Sequence, residues 1–239
     1  MTDLGVSLPV RPLERAVFVP AAGALVLADT HFGRGEAANV EAPLGDGTDV
    51  IERLRELLER CSPEIETVVV AGDLLHSFSR IPRGVEESLR TLRSVVDDAD
   101  ATLVVTPGNH DTMLEEVYDG ETVSEYRLAD DETVVCHGHE APETSAERYV
   151  VGHDHPALSI EGRKRPCFLY GPAAYDGADV LVLPAFTRIA PGSTVNGMRG
   201  RDFQSPLVGD ADAFHPGVRD DAADETLWFP PLGECRRLL

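Results

Sequence analysis

The sequence predicts an α/β layered fold, with helices covering the faces of a sheet. Short apolar runs alternate with amphipathic stretches through the first half, in the order strand, helix, strand, helix, strand, and the second half is richer in strands. The length of 239 residues suits one domain with a large core.

The strand candidates are Ala24–Ala28, Thr67–Ala71, Thr102–Thr106, Thr133–Cys136, Tyr149–Val151 and Asp179–Leu183. They are short, rich in Val and Leu, and mostly bounded by Gly, Pro or Asp. Thr48–Cys61 is the clearest helix. Its Val50, Ile51, Leu54, Leu57 and Leu58 share one face, acidic and Arg residues fill the other, and Thr48 or Asp49 would cap its start. Val85–Val96 follows with Val85, Leu89, Leu92 and Val96 at helical spacing. Residues 1–208 are expected to form the main domain. The acidic stretch 209–227 reads as an exposed loop. The tail Trp228–Leu239 is expected to dock on the same domain, because the Trp228–Phe229 pair is costly to leave in water.

Charge is unusual. There are 42 acidic and 21 basic residues, a formal charge of −21, and the only Lys is Lys164. That composition fits a salt-loving cell, where a hydrated carboxylate surface keeps proteins soluble. At low salt such a charge opposes a nucleic-acid backbone; at molar salt the Debye length is about 3 Å and local patches decide. Two stretches break the acidic pattern: Val180–Arg201, with Arg188, Arg199 and Arg201 but no acid, and Arg163-Lys164-Arg165. Four cysteines, at 61, 136, 167 and 235, form no C-x-x-C pair. No apolar run reaches the roughly 18 residues of a membrane span. No signal peptide is seen, so the expectation is a cytoplasmic protein with reduced thiols and no membrane partner.

Chemistry concentrates where apolar runs end. Leu25–Ala28 leads into Asp29-Thr30-His31, Val68–Ala71 into Gly72-Asp73, and Leu103–Val105, two residues on, into Gly108-Asn109-His110-Asp111. Val134–Cys136 leads into His137-Gly138-His139, and Val150–Val151 into Gly152-His153-Asp154-His155. Ligands of open α/β sheets gather outside the carboxyl ends of the strands, so five such ends can converge on one site. Asp29 and His31, two apart, would point to one side of an extended segment. Each piece alone could be a turn; five in this order are hard to explain that way. Imidazole, carboxylate and amide oxygen without thiolate suit Mn, Fe or Zn better than Ca.

These motifs resemble the calcineurin-like metallophosphoesterases over roughly residues 25–156. The resemblance implies two packed mixed β-sheets flanked by helices in a four-layer αββα sandwich, and a dinuclear centre of two divalent metal ions, with Mn favoured. Asp29, His31 and His155 would hold one metal; Asn109, His137 and His153 would hold the other; Asp73 would bridge them. His110 would be the acid on the substrate side, with Asp111 orienting its ring. Further matches look like the ligase-associated metallophosphoesterases of bacteria and their archaeal relatives: Gly72-Asp73-Leu74-Leu75-His76-Ser77, Arg165-Pro166-Cys167-Phe168 and Leu183-Pro184-Ala185-Phe186. Where protein Ser/Thr phosphatases carry Asp-Arg-Gly, this chain has His76-Ser77-Phe78, which disfavours that branch.

The implied activity is phosphodiester hydrolysis, with a DNA-repair nuclease as one form of it and nucleic acid as a candidate partner. A small-molecule phosphodiesterase or phosphomonoesterase is the alternative, and a non-catalytic protein-binding scaffold is a third reading. Arg34, His76 and Arg188 are the candidate substrate contacts, since Arg suits forked phosphate contacts and His76 could line the pocket. No recognisable nucleic-acid-binding module is visible.

Overall fold

The computed structural model describes residues 8–34, 47–61, 64–76 and 80–236. A first sheet runs in chain order: Arg11–Leu13 (β1), Ala16–Val19 (β2), Ala24–Leu27 (β3), Thr67–Ala71 (β4), Thr102–Thr106 (β5) and Glu121–Thr122 (β6). β1 to β3 form an antiparallel meander, and β3 to β6 are parallel. Helices Thr48–Cys61 (α1) and Val85–Asp97 (α2) lie on the crossovers that precede β4 and β5.

The second sheet is built from Glu125–Arg127 (β7), Thr133–Cys136 (β8), Arg148–Val151 (β9), Phe168–Tyr175 (β12), Ala178–Val182 (β13), His215–Asp220 (β15) and Glu225–Trp228 (β16). Its order is β16-β15-β12-β13-β9-β8-β7, mixed, with β8, β9 and β13 parallel. A small third sheet joins Pro156–Ile160 (β10) to Arg163–Pro166 (β11) and Ser193–Thr194 (β14).

Strand alternation sorts the side chains into three cores. Phe18, Leu25, Leu27, Val68 and Val70 face the helices, while Val17, Val19, Val26, Val69 and Ala71 face the second sheet. Both faces are covered, which is why these strands read as continuous apolar runs. From the second sheet, Val135, Val150 and Leu181 complete the middle layer. Val134, Val151, Val180 and Val182 point outward, under Leu158, Phe203, Leu207, Phe214 and Leu232. The α/β sandwich is the expected one. Its fourth layer, however, is built mainly from the small sheet, 3₁₀ turns and the one-turn helix Leu232–Cys235 (α3) rather than from long helices.

Two local expectations change. Residues 209–227 contain β15 and all of β16 but Trp228, so this stretch is an edge hairpin more than a loop. Burial along the hairpin does not alternate, and Asp220, Asp221 and Asp224 around its turn hid the strand pattern. On α1, Arg53 is buried rather than on the solvent face. Its guanidinium donates to Glu14 Oε2 at 2.8 Å and to Phe186 O at 2.5 Å, and lies 4.3 Å from the centre of the Phe186 ring. Arg15 donates from the other side to the carbonyls of Ala185 (3.1 Å) and Thr187 (2.6 Å). Together they pin the segment after β13 against the first sheet, where the Phe186 N–H reaches Ala28 O at 2.8 Å.

Replacing Arg53 leaves Glu14 and a buried carbonyl without their donor. Arg53→Met is expected to lower stability by about 3 kcal/mol, a fall of roughly 10 °C in Tm for a domain of this size. Thermal unfolding checks it; an unchanged Tm refutes this role for Arg53.

Candidate metal centre

The parallel strands β3, β4 and β5 end on the same side of the first sheet, and β8 and β9 end together in the second. Each releases its ligand-bearing turn there. The chain after β3 runs alongside the chain after β4: the Asp29 N–H donates to Gly72 O (3.0 Å), His31 to Asp73 O (2.9 Å) and Phe32 to Leu74 O (2.9 Å). The Thr30 hydroxyl adds a bond to Leu74 O at 3.0 Å.

The backbone along these turns is left-handed. Asp29, His31, Asp73, His153 and His155 have φ of 55°, 50°, 47°, 70° and 45°. Few non-glycine residues adopt such values, which cost about 1–2 kcal/mol each. Asp29 and His31 therefore meet through two left-handed residues, not through the extended segment the sequence suggested. Glycine is required at the closest approaches. A Cβ on Gly72 would stand 2.1 Å from His137 Nδ1, one on Gly108 2.3 Å from Asp73 Oδ1, and one on Gly152 2.6 Å from Asp29 Oδ2.

Two groups of side chains result. In the first, ligand atoms of Asp29, His31, Asp73 and His155 all lie within 4.8 Å of one another. His155 Nε2 is 3.0 Å from Asp29 Oδ1 and 3.3 Å from His31 Nε2. In the second, His137 Nε2 is 3.1 Å from Asn109 Oδ1, 3.2 Å from His153 Nδ1 and 3.5 Å from Asp73 Oδ1. Asp73 belongs to both: Oδ1 faces His137, and Oδ2 stands 4.0 Å from His31 Nε2.

These contacts fit cations. His137 Nδ1 lies 3.2 Å from Ala71 O, so the proton belongs on Nδ1 and Nε2 turns a lone pair toward Asn109, His153 and Asp73. One proton cannot satisfy so many facing acceptors; a divalent cation accepts from all of them. Burial favours the neutral form that ligation demands in three of the imidazoles. Burial lowers His31 to about 3 and His153 to about 4, and lowers His137 as well. Burial, with the charge of Asp29 beside it, raises Asp73 to about 8. For Asp29 burial works upward but is outweighed by His155, His137 and His31, and the net shift is downward.

The remaining expected residues divide. His110 stacks on His76 with centroids 4.9 Å apart and planes 16° apart, and both rings pack edge-on to His31. Burial lowers both, to about 4 for His76, and the charge of Arg34 adds to the shift. Arg34 thus lies within electrostatic reach of His31, Asp73, His76 and His110. Arg188 is exposed beyond Thr187, within electrostatic reach of Arg15. Ser77 and Phe78 lie outside the described residues.

Asp111 does a different job from the one expected. Its carboxylate accepts from the main-chain N–H groups of Leu75 (2.7 Å), Gly108 (2.8 Å) and Leu74 (3.1 Å). It clamps the turns after β4 and β5 together and so positions His110 through the backbone. Asp154, which the sequence reading passed over, plays the matching part between His153 and His155: it is buried and accepts from Gln204 N (2.8 Å) and Ser205 N (3.2 Å). Its place between two ligand-type histidines was the available signal. All four cysteines are buried and unpaired; burial raises the Cys136 thiol to about 12.

A solved structure shares this architecture. A crystal structure of Pseudomonas putida nuclease MPE is similar over 92% of this chain and 100% of its own, with a TM-score of 0.62 and 20% identity, which shows the fold. A protein of unknown function from Aquifex aeolicus aligns over 55% of this chain and 78% of its own at 18% identity, with a TM-score of 0.34. Among curated proteins no sequence matches. The family model described as calcineurin-like phosphoesterase matches residues 24–167, a span that carries every metal-ligand candidate, and the chain belongs to that family.

Proposed function

We propose that this phosphoesterase is a dinuclear metal-dependent phosphodiesterase that acts on nucleic acid. The reading rests on Asp73, whose two oxygens turn toward different clusters, one with Asp29, His31 and His155 and one with Asn109, His137 and His153. Each cluster would hold one divalent cation, Mn by preference and Fe or Zn by the same donor chemistry. When bound, the pair supplies charge against the developing negative charge on phosphate and lowers the pKa of water.

The protein groups do the rest. Arg34 adds positive potential where a phosphate enters. His110, held by the Asp111 clamp and stacked on His76, delivers a proton to the leaving oxygen. Resemblance to the ligase-associated branch, and the nuclease activity named for the P. putida structure, support nucleic acid over a small phosphoester. Residues 1–208 would carry the whole site.

Metal-stripped protein given Mn is expected to hydrolyse bis-p-nitrophenyl phosphate and labelled single-stranded DNA, and Asp73→Asn to lower both rates by about a hundredfold or more with loss of bound metal. Full activity in Asp73→Asn with both metals retained would end the bridging role. Hydrolysis of the small ester alone would favour a small-molecule phosphodiesterase.

His110→Ala should keep both metals. Its rate on DNA, whose alkoxide leaving group needs a proton, should fall by about a hundredfold, and far less on p-nitrophenolate esters. Equal losses on both substrates would remove proton delivery from His110.

Metal-free protein gives a pH test. A buried carboxylate raised from 3.8 to about 8 favours the fold while protonated, and its stabilising effect is lost as pH climbs through that range. Without metal, Asp73→Asn is therefore expected to melt above the parent at pH values beyond about 8, with the gap closing toward about pH 5. A gap that does not change with pH contradicts the raised pKa.

A further inference from the structure

Most of the basic residues in this acidic chain are engaged. Arg199 and Arg236 pair with Asp212, Arg201 approaches Asp202, Arg219 pairs with Asp221 and Asp224, and Arg93 pairs with Asp119. Arg55, Arg90 and Arg188 also lack an ion-pair partner among the described residues, but each stands singly; the exposed strand β11 gathers three basic residues in a row, Arg163-Lys164-Arg165. None of the three has an ion-pair partner among the described residues. Lys164 turns its ammonium to Gly192 O, which leaves Arg163 and Arg165, two apart and on one face of the strand.

The hairpin grows directly out of the metal centre. β10 begins at Pro156, the residue after His155, and β11 returns beside it with Arg165 opposite Leu158 and Arg163 opposite Ile160. At a rise of about 3.3 Å per residue, the two arginines sit level with points roughly 10 Å and 17 Å along the strand from His155. β11 then leads into β12, whose Leu169 pairs with Val182, itself opposite Val151 at the end of β9. The basic edge therefore leaves the sandwich at the end where the ligand-bearing turns lie.

We propose that this hairpin is an arm that grips a single-stranded nucleic acid by the phosphates flanking the scissile one. The proposal rests on the phosphodiesterase reading of the metal centre. A small ester seated among the metal ligands would lie too far from Arg163 and Arg165 to gain from them. A strand that carries a charge on every nucleotide places further phosphates along the arm. Two guanidinium forks about 7 Å apart match such a repeating anion. The net charge of −21 repels a polyanion elsewhere on the surface, so the arm also sets the direction in which a strand leaves the site.

The test uses the full chain, the Arg163→Gln/Arg165→Gln double variant and, as a control, Arg201→Gln, whose side chain is exposed and lies beside Asp202. Binding of a fluorescent single-stranded oligonucleotide is followed by anisotropy without metal across a salt series, and Mn-dependent cleavage of that strand is compared with hydrolysis of bis-p-nitrophenyl phosphate. The double variant should bind about tenfold more weakly, and its log–log salt slope should be shallower by about 1.4, two phosphates at about 0.7 each. KM for the oligonucleotide should rise while kcat and KM for the small ester stay unchanged; Arg201→Gln should behave as the parent. Unchanged affinity and slope in the double variant overturn the arm, whatever the cleavage result. Displacement of the oligonucleotide from the parent by an equal concentration of polyglutamate also overturns it, in favour of an acidic-peptide surface. A parent that binds through the arm but cleaves no nucleic acid under any metal leaves the arm standing and removes the nuclease reading alone.

Discussion

Two carboxylates, Asp29 and Asp73, are buried within a few ångströms of each other among imidazoles, and the rest of the site is arranged around that pair. Unpaired buried charge is among the most expensive features a fold can carry. Among the described residues no Arg or Lys offsets it at contact distance; the neighbours are His31, His137, His153 and His155. Histidine offsets a buried carboxylate far less than a cation held by both does, and these rings can join the carboxylates in ligating one. The site is therefore stable in proportion to the positive charge it holds, and metal binding and folding free energy are linked.

Bringing those groups together sets the local backbone. Five of the seven ligand candidates sit at positive φ, and Gly72, Gly108 and Gly152 lie where any Cβ would strike His137 or one of the two carboxylates. Such strain persists only where surrounding bonds over-determine it. Those bonds are visible: the loop ladder from Asp29 to Phe32, the three main-chain donors held by Asp111, and the two held by Asp154. The second sheet is locked in the same way, since Phe186 and Thr187 donate to the carbonyls of Ala28 and Asp29 while Arg15 and Arg53 hold the carbonyls of 185–187.

The features legible in the sequence were those written as periodicity or as rare residue types at strand ends. Thr67–Ala71, Thr102–Thr106 and Thr133–Cys136 are strands with the expected bounds, and α1 spans Thr48–Cys61 as read. The convergence of Asp29, His31, Asp73, Asn109, His137, His153 and His155 followed from one rule about the carboxyl ends of strands. What stayed hidden were choices made by partners distant in sequence. Arg53 looks like a solvent-facing residue until Glu14 and Phe186 arrive from 39 and 133 residues away. Asp111 looks like a partner for the neighbouring His110 until Leu74 and Leu75 present their N–H groups from another turn. The hairpin of β15 and β16 is buried only near Pro216 and Gly217 and carries acids around its turn, so its alternation is diluted.

The same long-range view gives the arginine bias a structural cause. Arg15, Arg53, Arg127 and Arg236 each donate to main-chain carbonyls of loops remote in space or sequence, two bonds from most of them. A planar fork with five donors can satisfy two carbonyls, or a carbonyl and a carboxylate, at once; a lysine ammonium presents a single point of charge. In this chain a few arginines, Arg15 and Arg53 above all, hold loop carbonyls near the metal centre. Beside them, cations that remain exposed and unengaged stand out energetically as well as visually. Each keeps its full capacity for an anion from solution, and the hairpin that begins where the metal ligands end has two of them on one strand face.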